Sequence, residues 1–353
     1  MKNVSKPLRI HDNLAGQKVL SVSAGLVSWQ ITCRVLVYCL TLSLLIIAMS
    51  FWAMLQGDYH LSPLQVLQAF YGEGNRLGIY FVTEVRAPRI IAALIVGAAL
   101  GISGAIFQGI SGNSLGSPDI IGFTNGAATG ALITIILGNA TPLEIAVGAV
   151  LGGFGTSLAV WFLTRHTGLR GFRLVLIGLG LGATLSAVNS LLVVRASLTQ
   201  AQTAASWLAG SLNTMNWNKI IFLAVFFTVL VPFLLLLARP LDILNYGDNV
   251  ASGLGVNVST IRVLALFVGV ILVSLATSVT GPLAFVALSA PHIAQKIAKK
   301  RTLFAAGLTG STLVLGSDLI GQYAFNMTLQ VGVVTGALGG LYLIYLIATE
   351  RKK

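Results

Sequence analysis

The chain offers little to catalysis. Its 353 residues include only 10 Asp and Glu, 4 His and 2 Cys. They are scattered: no group of His, Cys, Asp and Glu has the spacing of a metal-ligand set, and no nucleophile stands beside a base at matching depth, as an intramembrane enzyme would require. Cys33 and Cys39 make neither a disulfide framework nor a zinc site. The stretch GAALGISG, Gly97 to Gly104, imitates a nucleotide fingerprint by its glycine spacing but follows no strand and lies in an apolar run. No G-x-x-x-x-G-K-[ST] sequence occurs, so any uphill work must draw on an ion gradient or on another polypeptide.

The remaining polar residues sit inside apolar segments, where a charge costs about 2.5–3.5 kcal/mol at the centre of a span. Ser117, Pro118 and Asp119 read as N-cap, N1 and N2 of a helix, with the carboxylate complementing the helix dipole. Asp318 has no such place; a water-filled cavity and a basic partner are both open to it. Gln108, Asn113, Asn125 and Asp318 are candidates for lining a translocation path, although interhelical hydrogen bonding explains the amides, and Asn189 with them, equally well. His292, after Pro291, reads as a packing or hydrogen-bonding histidine.

Positioning these groups falls to membrane helices. Hydrophobic residues make up 56% of the chain and charged ones 9%, with a mean hydropathy of +0.88, whereas a soluble domain is roughly 25% charged. About 20 apolar residues cross a bilayer, and ten candidate spans begin near Val35, Ile90, Ile120, Leu143, Leu174, Ile220, Val263, Leu283, Leu303 and Val331. The eighth, Leu283 to Gln295, is short for a crossing. With ten spans both termini share one face. That face receives 17 of the 22 Lys and Arg: Lys2, Lys6, Arg9, Lys18, Arg34, Arg165, Arg170, Arg173, Arg239, Arg262, Lys296, Lys299, Lys300, Arg301, Arg351, Lys352 and Lys353. The other face has Arg76, Arg86, Arg89, Arg195 and Lys219. The positive-inside rule makes the basic face cytoplasmic, so the net charge of +12 reflects topology and anionic lipid, not nucleic acid. The expected organisation is a cytoplasmic segment 1–34, one transmembrane domain 35–348, and a basic tail 349–353. The first span reads as an anchor, since no small-x-small cleavage site follows its apolar run.

Glycines recur four residues apart within the spans: Gly97 and Gly101; Gly122, Gly126 and Gly130; Gly148 and Gly152; Gly178 and Gly182; Gly336 and Gly340. Small residues at that spacing let helix backbones approach. The longest basic-face loop, 238–262, reads ARPLDILNYGDNVASGLGVNVSTIR. Here Asp248 is the expected N-cap of a short helix running through Leu254, and Gly255 the left-handed residue that ends it. Val250, Ala251 and Leu254 would share one face, and so short a helix needs a partner to pack against.

Several segments together resemble one family. They are TEVRAPRIIAALIVGAALGISGAIFQGI (Thr83 to Ile110), NSLGSPDIIGFTNGA (Asn113 to Ala127), FRLVLIGLG (Phe172 to Gly180), LNYGDNVASGLGV (Leu244 to Val256), TGPLAFVALSAPHIA (Thr280 to Ala294) and QVGVVTGALGGLYLIYLI (Gln330 to Ile347). The chain resembles the FecCD-type permease subunits of bacterial ATP-binding-cassette (ABC) importers for ferric siderophores, haem and cobalamin, most closely the ferric-enterobactin type. The resemblance implies an all-α polytopic fold of about ten transmembrane helices, the type II ABC importer permease, in the inner membrane with cytoplasmic termini. It also implies a second permease, with a homologous heterodimer partner favoured over a second copy of this chain, ATPase subunits that carry ATP-Mg, and a periplasmic siderophore-binding protein. The permease itself would hold no cofactor, and iron would pass inside its chelator. Carried over by position, Gly247, Asp248, Ala251, Leu254 and Gly255 become the ATPase-coupling loop, and Arg86 and Arg89 receive acidic residues of the binding protein. Ser114 stands where the family has Pro, and no Lys or Arg occupies Ile320 to Gln330, where cobalamin-type relatives carry an arginine; docking would then be asymmetric, as suits a heterodimer. An ion-coupled secondary transporter is the alternative, and would need midplane carboxylates near broken helices.

Overall fold

The computed structural model describes residues 8–12, 18–24, 27–57, 59–138, 141–165, 171–325 and 327–350. Lys2, Lys6, Arg170, Arg351, Lys352 and Lys353 lie outside them. The structure departs from the all-helical expectation at its start: β1 (Leu8–Asp12), β2 (Lys18–Ala24) and β3 (Val27–Thr32) form an antiparallel meander in the order β1-β2-β3. The signal was present, because V-S-W-Q-I-T alternates with the period of a strand.

Helices follow. They are α1 (Cys33–Leu55), α2 (Pro63–Phe70), α3 (Arg76–Tyr80), α4 (Ala87–Ser111), α5 (Phe123–Leu137), α6 (Pro142–Thr164) and α7 (Gly171–Arg195), then α8 (Leu198–Leu208), α9 (Trp217–Leu244), α10 (Asp248–Gly253), α11 (Val258–Thr280), α12 (Val286–Ala298), α13 (Leu303–Tyr323) and α14 (Val331–Glu350). Every expected span coincides with a helix, but length divides them. Seven are long and apolar enough to cross a membrane, one being the continuous stretch Arg76–Ser111 that joins α3 to α4; α5 and α14 contribute shorter apolar segments. The helix at the eighth span, α12, has 13 residues, about 20 Å at 1.5 Å per residue. The count of ten crossings is therefore an expectation that helix length alone does not supply.

Local chemistry explains several boundaries. Ser62 with Gln65, Thr141 with Glu144 and Ser197 with Gln200 form capping boxes on α2, α6 and α8, each satisfying orphan backbone donors. Between α3 and α4 the helix widens to a π turn, Phe81–Arg86, and the Ala87 N–H reaches back to the Val82 carbonyl. Pro88, which has no N–H and crowds the preceding turn, accounts for the widening. Asp119 is not on the first turn of a helix. Ser117 Oγ does accept from the Ile120 N–H at 3.3 Å, but this caps an isolated turn, and α5 begins only at Phe123, after Gly122 at φ 84°.

The glycine spacing does what it promised in most places. A Cβ at Gly97 or Gly101 of α4 would strike the backbone of Gly310 or Ala306 of α13; one at Gly126 or Gly130 of α5 would strike Thr156 or Gly148 of α6; and Gly122 meets Gly182 of α7. Ser311 Oγ donates to the Leu94 carbonyl at 2.7 Å beside the first seam. Gly336 and Gly340 of α14 differ: nothing lies within 4 Å of either added Cβ.

Candidate functional site

The loop between α9 and α11 builds a projecting handle. Gly247, at φ 102°, is the N-cap of α10, so Asp248 is the first helical residue and not the cap. Its carboxylate is used differently: Arg262 of α11 donates Nη1 to Oδ2 at 3.0 Å and Nη2 to Oδ1 at 2.7 Å, a bidentate pair that fixes the base of the handle. The helix stops at Gly253, with Leu254 as C-cap and Gly255 left-handed at φ 81°. Val250, Ala251 and Leu254 do not share one face. Ala251 is fully buried against the bundle, while Tyr246, Val250 and Leu254 are 78%, 48% and 66% exposed. An exposed apolar cluster on a short, braced helix is a surface shaped for a partner. The sequence puts Arg262 on the basic face but does not pair it with Asp248, because the two lie on separate helices, α11 and α10, whose relative placement only the folded loop decides.

The two arginines expected to receive a docking partner both turn inward. Arg86 is 8% exposed and donates Nη1 to the Met54 carbonyl at 2.6 Å and Nη2 to the Tyr59 carbonyl at 2.5 Å, pinning the connection that follows α1. Arg89 donates Nε to Asp318 Oδ2 and Nη2 to Oδ1, both at 2.8 Å, and Gln322 Nε2 adds a third bond to Oδ2 at 2.7 Å. The side chains of Arg89 and Asp318 are 18% and 4% exposed. Asp318 thus has the basic partner that the sequence left as one of two choices, and it is not a carboxylate open to a pathway.

The amides expected along a path are likewise spent on packing. Gln108 Nε2 donates to the Leu288 carbonyl at 3.1 Å, Asn125 Nδ2 to the Gly182 carbonyl at 3.0 Å and Asn189 Nδ2 to the Asn125 carbonyl at 3.3 Å. Asn113 Oδ1 accepts from the Leu115 N–H at 2.9 Å within its own turn. His292 packs its ring against Tyr342, centroids 5.9 Å apart. In the α4–α5 connection, Thr124 Oγ1 donates to Asp119 Oδ1 at 2.5 Å, while Oδ2 is shut off from solvent without a partner.

Weak polarity is exposed elsewhere, on α7. Most of this helix is unburied, and its open surface mixes Gly180, Ala183, Thr184, Ser186, Ala187 and Ser190 with Leu176, Leu179, Leu191 and Val194. Small residues among the large ones let another helix approach closely there. Among the described residues, no three His, Cys, Asp or Glu side chains come together to hold a metal ion.

A bundle of long apolar helices with glycine seams, two buried carboxylates held in structural pairs, and a braced handle at one end defines a polytopic membrane permease domain. The profile of the FecCD transport family matches residues 44–349, and the chain belongs to that family. It is 42% identical to the ferric enterobactin transport system permease protein FepG of Escherichia coli, over 91% of this chain and 98% of the relative. It is 34% identical to the achromobactin transport system permease protein CbrC of Dickeya dadantii, over 87% of this chain and 90% of that one. Its fold is similar to a metal-chelate type ABC transporter solved in an inward-facing conformation, with a TM-score of 0.79 and 28% identity over 88% of this chain and 98% of the other.

Proposed function

We propose that this chain is the permease subunit of an ABC importer that carries a ferric siderophore, with an enterobactin-like catecholate favoured, across the bacterial inner membrane. The observation that carries the substrate is the 42% identity to the ferric enterobactin permease, which extends over nearly the whole of both chains. In this reading the basic face and both termini are cytosolic, and the exposed Tyr246, Val250 and Leu254 of the handle dock into a separate ATPase that binds ATP-Mg. A second, homologous permease faces α7 and the open glycines of α14, and the chelate passes along the weakly polar face of α7. A periplasmic binding protein delivers it. Because Arg86 and Arg89 are engaged within the chain, acidic groups of that protein would meet Arg76 and Arg195, which are exposed on the same face.

The test is uptake by proteoliposomes holding the chain with its co-purified partners. Labelled ferric enterobactin should enter with ATP and its binding protein present, and a ferric hydroxamate should not. Uptake driven by an ion gradient with no ATPase present would overturn the proposal.

A further inference from the structure

Four arginines tie segments together here, and their chemistry differs. Arg89 and Arg262 each meet a carboxylate through two hydrogen bonds, which makes them fixed bolts. Arg86 meets the neutral carbonyls of Met54 and Tyr59 but is buried. Arg301, in the turn between α12 and α13, meets neutral side-chain amides. Its Nε donates to Gln295 Oε1 at 2.7 Å and its Nη1 to Asn245 Oδ1 at 2.9 Å. A cation held by neutral acceptors is held less tightly than one in a bidentate ion pair, so this half-exposed junction can be remade.

Its position gives that property a use. Asn245 ends α9 and leads directly into the handle, whereas Gln295 belongs to α12 and Arg301 lies just before α13. One turn back on α9, Asp242 Oδ2 lies 4.0 Å from Lys300 Nζ, a second and longer strut across the same gap. From α12 and α13 the connection continues inward, through the Gln108 bond to the Leu288 carbonyl and the Gly97–Gly310 seam, both of which end on α4.

We propose that Arg301 is a positioning residue for coupling, which passes displacement of the handle directly to the α12–α13 pair, so that this pair moves together with α4, which α9 and α11 already contact. The proposal rests on the handle being the docking segment for the ATPase. Without Arg301, motion of the handle would reach α9 by chain continuity, α11 through Arg262, and α4 through the packing of α9 and α11 against it, leaving the α12–α13 end nearest the handle to the Lys300 strut alone.

The experiment uses the assembled importer, purified intact by gel filtration and reconstituted with its binding protein, and reads chelate taken up per ATP hydrolysed. Arg301→Ala and Asn245→Ala should each lower that ratio by about tenfold, within the usual range of energetic coupling between sites, while the ATPase still co-purifies. The double variant should be no worse than either single one, because both remove the same contact, and Arg301→Lys should restore part of the ratio. Should Arg301→Ala fail to accumulate, Asn245→Ala carries the test alone. An unchanged ratio in either single variant, or additive losses in the double, would overturn the relay. Gly255→Val separates the two readings: if it leaves ATPase co-purification and uptake intact, the docking assignment itself falls.

Discussion

At the scale of single residues, the charges of this chain are engaged in holding it together. Removing one member of a buried ion pair strands the other and costs about 3–5 kcal/mol, so Arg89→Ala should sharply lower the thermal midpoint in detergent. The exchanged pair Arg89→Asp with Asp318→Arg should recover much of that loss, because the two side chains need each other and not an outside partner; a swap as unstable as the single variant would show that the pair is not the reason.

At the scale of elements, helix contacts are set by glycine and by backbone geometry. A side chain at Gly101 would meet the Ala306 carbonyl, so Gly101→Leu must force α4 and α13 apart and should prevent accumulation of folded protein in the membrane. The handle responds to a subtler rule. Asp248 is the first residue of α10, a position where Pro is well accommodated, so Asp248→Pro should leave the short helix in place and act through the lost Arg262 pair; Asp248→Asn, which keeps the backbone free, should uncouple ATP hydrolysis from uptake to a similar extent. Gly255 at φ 81° is where a β-branched residue is most strained, and Gly255→Val should uncouple at least as strongly. Paired measurements of ATPase rate and uptake check all three.

For the whole molecule, the informative surfaces are those left open. Gly336 and Gly340 of α14 have the same spacing as the glycines in the internal seams but face open space. Gly340→Leu is therefore expected to leave the thermal midpoint of the isolated chain within about 0.5 kcal/mol of its original stability, as for surface substitutions, while reducing the fraction recovered as a permease pair on gel filtration. The same contrast shows how much the chain disclosed in advance. Span positions and most glycine seams follow from hydropathy and short-range spacing, and each was legible. Which glycines meet within the chain was not, because spacing announces a close approach without naming what approaches.

Taken alone, the amino-acid order determined where helices form, which bundle end is basic and that the 238–262 loop holds a short helix, because apolar periodicity, charge placement and capping act within a few residues. Only the tertiary structure decided that Arg89 belongs to Asp318, 229 residues away, that Arg86 folds back onto the Met54 and Tyr59 carbonyls, and that Asp248 braces the handle instead of capping it. Such pairings depend on which helices lie side by side and how each is rotated. A long, flexible arginine takes whichever acceptor that packing brings within about 3 Å.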